Sequence, residues 1–105
     1  MLYILVDNIP VITHDINLWS SLDRSIRKDS VDDASISTVF LGISHGERGG
    51  IPILFETMVF GGELDGYQER YCTIEESIKG HQVIYDMVDK GRTKRADKIN
   101  IVLDI

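Results

Sequence analysis

The sequence predicts an α+β fold, a small antiparallel or mixed β-sheet of four to six strands with a central three-strand meander and one or two helices packed on one face. Two observations support this prediction. Apolar segments rich in β-branched and aromatic residues follow one another between glycine-rich loops, at residues 36–44, 51–60 and 67–72. A capping box at Thr73 then marks the start of a helix. With 105 residues, the chain is expected to form a single domain, 1–105.

The first twelve residues are predicted to begin with a short strand. Residues 2–6 are rich in aliphatic side chains, DNIP at residues 7–10 is typical of a turn, and Val11 with Ile12 can form a return strand. The apolar run is too short for a signal segment or a membrane span, and it has no basic residues before it. We therefore expect no membrane contact.

A first helix is expected over residues 13–25, with Asp15 or Thr13 as its N-cap. Its apolar face would consist of residues at helical spacing, namely Leu18, Trp19, Leu22 and Ile26. The polar segment at residues 27–35 predicts a turn. The loop HGERGG at residues 45–50 then predicts a hairpin between the first two strands of the meander.

The helix that starts at Thr73 is predicted to end at Gly91. Its buried face would consist of residues at three- and four-residue steps, namely Ile74, Ile78, His81, Tyr85 and Val88. The basic run at residues 90–98 is expected to be a solvated loop or an anion site. Alternating apolar residues over 98–105 predict a last strand.

Charge and cysteine content limit the function classes. The formal net charge is −6, which argues against general nucleic-acid binding because such binding depends on Lys and Arg neutralising phosphates. Residues 1–89 carry 6 basic and 15 acidic side chains, whereas residues 90–105 carry 5 and 2. Cys72 is the only cysteine, so the chain cannot form an internal disulfide, and we expect it to work in the cytoplasm.

Several short motifs resemble a family of small uncharacterised proteins encoded by tailed phages and prophages. They are STVFLG at residues 37–42, FETMVFGG at 55–62, ERY at 69–71, EE at 75–76 and GH at 80–81. The family carries no biochemical function that could be transferred. The resemblance implies a phage or prophage product in the cytosol of a bacterial host, and it favours a binding role by analogy.

Glu56 interrupts an otherwise apolar strand and is the first candidate site residue. An unpaired buried carboxylate costs several kcal/mol, so a buried Glu56 needs a partner, which Arg70 or Arg48 could supply. Three interpretations stay open, namely a structural pair with arginine, a ligand-contacting or catalytic acid, and a residue facing solvent.

The histidines offer a weaker case for chemistry. His45 and His81 lie 36 residues apart, and the chain has no pair of ligands at the close spacing typical of zinc sites. We therefore expect no metal and no cofactor. His81 is expected to be a core or interface histidine, and His45, beside a glycine-rich loop, is the better candidate for a ligand contact.

The leading hypothesis is a non-catalytic binding module that works as a homo-oligomer and counteracts host defence. It would sequester a nucleotide-like signal or bind a host protein through its acidic surface. The candidate ligand-binding residues are His45, Arg48, Glu56, Arg70, Arg92, Lys94 and Arg95. The alternatives are a small hydrolase or lyase that uses His45 and Glu56, and a minor virion or assembly component.

Overall fold

The computed structural model describes residues 1–103, with side chains described up to residue 91. Within those residues the elements follow in the order β1 (Leu2–Val6), β2 (Ile9–Thr13), α1 (Ile16–Ser21), β3 (Ser25–Val31), β4 (Ala34–Phe40), β5 (Glu47–Arg48), β6 (Ile51–Pro52), β7 (Phe55–Phe60), β8 (Gln68–Tyr71) and α2 (Ile74–Leu103). This arrangement confirms the predicted α+β class.

A four-stranded antiparallel sheet with the strand order β3-β4-β7-β8 forms the centre of the molecule. Its last three strands are the predicted meander, which is therefore confirmed. The strands β1 and β2 pair with each other in a separate hairpin, and so do β5 and β6. The glycine-rich loop after β4 thus contains a small hairpin of its own.

Helix α2 packs across all four strands on one face of the sheet. Alternation along β4 and β7 turns every second residue toward the helix, where those side chains are buried. The core-facing residues of α2 recur at three- and four-residue steps, as predicted, and the buried ones are Ile74, Ser77, His81, Ile84 and Val88. Tyr85 is half-buried and packs against the core, in agreement with the prediction. The prediction placed Ile78 on this face, whereas its side chain is 47% exposed.

Both helices begin at the side chains that the sequence predicts. Asp15 accepts the backbone N–H of Leu18 at 3.0 Å, and Thr73 accepts that of Glu76 at 3.2 Å. Each cap satisfies an amide that has no partner inside its helix. The predicted extent of the first helix is wrong, however, because α1 ends at Ser21 and Leu22 is already extended.

The prediction of a polar turn at residues 27–35 is wrong as well, because most of this segment forms strand β3. Its polar residues alternate between solvent on one face and hydrogen-bonding partners on the other, so the strand lacks an apolar stripe. The turn itself is shorter and lies at Asp32 and Asp33, where Asp32 has a φ of 52°.

The predicted helix end at Gly91, the basic loop and the last strand are also wrong, since α2 continues through Leu103. One glycine costs a helix only about 1 kcal/mol, and four of the next seven residues are Lys or Arg, which favour a helix. No proline follows to stop it. Residues 104 and 105 of the predicted strand lie outside the described residues.

The loop after β7 closes against the turn between β3 and β4. A Cβ atom at Gly61 would lie 2.2 Å from the carbonyl oxygen of Asp33, and the φ of Gly61 is +85°. Both the close approach and the positive φ require glycine. The segment FETMVFGG therefore owes one of its two glycines to backbone packing.

Candidate functional site

The face of the four-stranded sheet opposite α2 is the candidate binding surface. Among the described elements, α2 is the one that packs across these strands, and it covers the other face. Strand pairing places eleven residues on this surface, which we call the open face, and they are Ser25, Lys28, Ser30, Ser35, Ser37, Val39, Glu56, Met58, Phe60, Gln68 and Arg70.

Glu56 and Arg70 form an ion pair on the open face, between β7 and the edge strand β8. They are direct neighbours on β7 and β8, and Arg70 donates from Nε to Oε2 of Glu56 at 2.9 Å. The side chain of Glu56 is 14% exposed and that of Arg70 is 37% exposed. The pairing confirms that Glu56 has Arg70 as its partner, and its place on the open face explains how a carboxylate fits in this strand.

The Glu56–Arg70 pair lies among apolar side chains. Val39 is the neighbour of Glu56 on β4, and Met58 and Phe60 follow Glu56 on the same side of β7. Val39 and Met58 are half-buried, while Phe60 is 52% exposed. The remaining positions on β3 and β4 are mostly serines, so the surface combines apolar area with one paired charge and small hydrogen-bonding groups.

Arg48 reaches the same region from the β5–β6 hairpin. It is exposed, and its Nη2 donates to the backbone carbonyl of Arg70 in a long contact of 3.5 Å. Two of the predicted arginines and Glu56 therefore lie together. Because Glu56 already pairs with Arg70, the net positive charge that an anion would meet in this region is smaller.

The other predicted ligand-binding residues lie elsewhere or outside the described side chains. His45 is exposed, and its backbone amide donates to the carbonyl of Ile53 at 3.0 Å. Its ring has no hydrogen bond within the described part of the chain. Arg92, Lys94 and Arg95 lie in the part of α2 where only the backbone is described.

A second polar constellation lies under α2, on the covered face of the sheet, and sequence reasoning missed it. Tyr71 donates its hydroxyl to Thr57 at 3.1 Å, Thr57 and Thr38 share a hydrogen bond, and Thr38 lies 2.7 Å from Nδ1 of His81. The two threonines and His81 are fully buried. They tie three sheet positions to one helix position.

The constellation continues to the edge of the sheet. Nε2 of His81 lies 2.8 Å from Oδ2 of Asp29, and the same oxygen accepts from Nε of Arg27 at 2.7 Å. Asp29 and Arg27 are partly exposed on β3. We call the whole set the polar chain, and its members are Arg27, Asp29, His81, Thr38, Thr57 and Tyr71.

The hydrogen bonds of the polar chain run in one direction. A carboxylate only accepts, so Nε2 of His81 carries the proton that Asp29 accepts, and Nδ1 of the neutral ring accepts from Thr38. Thr38 in turn accepts from Thr57, which accepts from Tyr71. Among the described residues, no buried side-chain nitrogen or oxygen lacks a partner.

The charges of the polar chain follow from its surroundings. Burial lowers the pKa of His81 below its usual 6.5, although the hydrogen bond to Asp29 opposes this effect. The hydrogen bond from His81, more than the one from Arg27, lowers the pKa of Asp29 below 3.8. The neutral histidine and the ionised aspartate are therefore the stable forms near pH 7.

Asp29, His81 and Thr38 have the connectivity of a catalytic triad, but their position does not suit catalysis. A nucleophile must reach a substrate, whereas Thr38 has no exposed surface and its hydroxyl is held between His81 and Thr57. The prediction that His81 is a core histidine agrees with this burial. The missed signal was the pair of threonines on neighbouring strands, each placed where an apolar residue is usual.

Gly80 makes room for the end of the polar chain. A Cβ atom at this position would lie 2.2 Å from the hydroxyl oxygen of Tyr71 and equally close to its ring. Such contacts do not occur in proteins, so Tyr71 and any larger residue at position 80 exclude each other. The dipeptide GH at residues 80–81 thus contains one residue that accommodates Tyr71 and one that hydrogen-bonds to Thr38.

Comparison of the chain with models of protein families, with curated proteins and with solved structures finds no match. The resemblance to the phage family therefore stays a prediction. Within residues 1–103, neither helix combines the length and the apolar character that a membrane span needs. Among the side chains described, up to residue 91, those of His, Cys, Asp and Glu do not form a group of three that could hold a metal ion.

Proposed function

We propose that the protein is a non-catalytic binding module and that it holds a protein partner on the open face. The observation that carries this proposal is the Glu56–Arg70 pair on a sheet face that no described helix covers. An ion pair on the same face as Met58 and Phe60 gives a partner both apolar contact and a directional hydrogen-bonding group.

The phage resemblance supplies the biological part of the proposal. In this view the chain is an accessory factor that acts in the cytosol of a bacterial host and binds a host protein, with interference in host defence as its purpose. A small, exposed sheet face of mixed polarity suits a protein surface better than a phosphate group, because phosphate binding needs a net positive pocket.

A nucleotide-like ligand is the second candidate, and the contact between Arg48 and Arg70 favours it. Two guanidinium groups on neighbouring elements can grip a phosphate. Glu56 opposes this binding because it already neutralises Arg70. The hydrolase or lyase that uses His45 and Glu56 remains an alternative, as does the virion component, but no contact of the described residues favours either one.

The experiment compares capture of host proteins by the wild-type chain and by two matched variants. Phe60→Glu places a charge on the open face, and Val83→Glu places the same charge on the solvent side of α2, where Val83 is 59% exposed. We expect a host protein that the wild type and Val83→Glu retain and that Phe60→Glu loses. Capture that Phe60→Glu leaves unchanged would overturn the proposed surface.

Native mass spectrometry of the purified protein separates the two ligand classes. A bound small molecule that disappears in an Arg48→Ala, Arg70→Ala variant would replace the protein partner with the nucleotide-like one. If the protein-binding proposal is right, the wild type and this variant both show only the mass of their own polypeptide in the absence of the host protein, with no bound small molecule.

A further inference from the structure

The β1–β2 hairpin has one face against the core and one face outward. Tyr3 and Leu5 pack against a core cluster that includes Phe40 and Leu54. The register of the hairpin turns alternate residues away from that cluster. We call these outward residues the hairpin face, and they are Leu2, Ile4, Val6, Ile9, Val11 and Thr13.

The hairpin face is aliphatic at five of its six positions, and much of it is exposed. Val6 is 47% exposed, Ile9 is 62% exposed and Val11 is 42% exposed. On the other face of the same strand, Ile12 is 44% exposed. Apolar residues on both faces are typical of a strand that is covered on both faces. The composition of β2 is therefore that of a buried strand, although several of its side chains are exposed.

The free edge of β2 is a poor template for another strand. Among the described elements β2 pairs with β1 alone, and its other edge contains Pro10. Proline has no backbone N–H, so a strand added at this edge would miss a hydrogen bond in the middle of the ladder. Contact through the hairpin face is therefore favoured over extension of the sheet.

The two ends of the hairpin face carry complementary groups. Asp7 lies in the turn at the tip and has a φ of 51°, and His14 directly follows Thr13 at the base. Both residues are exposed, and neither has a hydrogen bond or ion pair within the described part of the chain. A two-fold axis across the strands would bring the tip of one hairpin over the base of a second one and place each carboxylate near an imidazole.

We propose that the hairpin face binds the hairpin face of a second copy of this chain, in an antiparallel homodimer that brings Asp7 of each copy to His14 of the other. The middle rung, Ile4 and Val11, then packs against its own equivalent, which an uncharged aliphatic face permits without repulsion. Pro10 limits the assembly to two copies, because it hinders the addition of further strands at the free edge of β2. This dimer is independent of the partner proposed for the open face.

The test is the oligomeric state measured by sedimentation over a range of concentrations. The hairpin face is only two short strands wide, so we expect a dimer that dissociates in the micromolar range. The double variant Ile9→Thr, Val11→Thr keeps two β-branched residues and hence the strand, and it should raise the dissociation constant at least about tenfold because apolar contact is lost from both copies. The control Val83→Thr should sediment as the wild type does.

A second pair of variants tests the antiparallel arrangement. Asp7→Asn keeps a residue that tolerates the positive φ, and His14→Ala removes the imidazole, so each should weaken the dimer by a few fold and the two together no more than either alone. A wild type that stays monomeric up to about 100 μM would overturn the dimer, as would a double threonine variant that is folded by circular dichroism and dimerises unchanged. Phe60→Glu should leave the dimer intact, which separates this test from that of the open face.

Discussion

The four-stranded sheet carries a polar constellation on each of its faces, and the two differ in what surrounds them. The polar chain lies under α2, and its two threonines and His81 have no exposed surface. The Glu56–Arg70 pair lies on the open face, where Arg70 keeps about a third of its side chain in solvent. The buried members of the first constellation, Thr38, Thr57 and His81, can contact only their own fold, whereas Arg70 of the second can contact another molecule.

This difference determines what each constellation contributes. A buried donor without an acceptor costs about 1–3 kcal/mol, so every member of the polar chain depends on the next one. Water can reach the partly exposed Arg70, so breaking the Glu56–Arg70 pair should cost less free energy than breaking the polar chain. Residues of the polar chain should therefore affect stability far more than binding, and residues of the open face the reverse.

His81→Leu is expected to have the largest effect, a decrease in the free energy of unfolding of about 3 kcal/mol. The variant leaves the hydroxyl of Thr38 buried without its acceptor and takes a charge-assisted hydrogen bond from Asp29. Urea unfolding followed by the fluorescence of Trp19, the single tryptophan, measures the change.

The neighbouring substitution Gln82→Leu provides the matched control, because Gln82 is exposed on the same helix. It removes two exposed hydrogen bonds, one from Arg27 and one to Asp86, and should change the free energy by about 0.5 kcal/mol or less. Equal effects of the two variants would show that the polar chain has no special place in stability.

Gly80→Ala should destabilise the fold by about 2 kcal/mol, because the new methyl group would overlap the ring of Tyr71. Gly91→Ala is the opposite case in the same helix, since no described atom outside the backbone of that helix lies within 4 Å of a Cβ built there. That variant should gain up to about 1 kcal/mol from the better helix propensity of alanine. Thermal unfolding of both proteins tests the difference in sign, and a stabilising Gly80→Ala would contradict the packing at Tyr71.

The comparison of the two faces also shows what the sequence could predict. The meander and both N-caps follow from local patterns of β-branched, glycine and capping residues, and the structure confirms them. The ion pair of Glu56 was also accessible, because a carboxylate in an apolar strand needs a partner and Arg70 lies in the next strand. Such predictions use residues whose spacing along the chain already places them together.

The polar chain and β3 could not be predicted in this way. Asp29 and His81 are 52 residues apart, and the polar side chains of β3 suggest a turn until α2 is known to satisfy them. The prediction that α2 ends at Gly91 was wrong for another reason. Gly91 and the β-branched residues after it are weak local signals, and a long helix can form in spite of them. Polar contacts between distant segments therefore have no local pattern from which to predict them.

Acid should weaken the fold through the polar chain. The pKa of His81 is lowered in the folded protein, so the unfolded chain binds a proton more readily, and the stability that His81 contributes is present above pH 6.5 and is lost as the pH falls through the folded pKa. Protonated Nδ1 would also have to donate to Thr38, which would reverse the bonds to Thr57 and Tyr71.

The measurement is the difference in urea midpoint between the wild type and His81→Gln from pH 7.5 downward. We expect the midpoint of the wild type to fall more steeply below pH 6.5, because the variant has lost this titration. Asp29 adds a second loss only below pH 3.8, since its own pKa is lowered. If the urea midpoints of the two proteins fall in parallel with pH, the pKa of His81 is not lowered in the folded protein.

The smallest effect is expected for the ion pair on the open face. A double-mutant cycle with Glu56→Ala and Arg70→Ala should give a coupling free energy of about 0.5 kcal/mol, because Arg70 is partly exposed and salt screens the pair. Raising the ionic strength should reduce this coupling further. Both single variants should lose the host partner while they stay folded. A coupling as large as the effect of His81→Leu would mean that the pair supports the fold as the polar chain does, and the contrast between the two faces would then no longer separate structure from recognition.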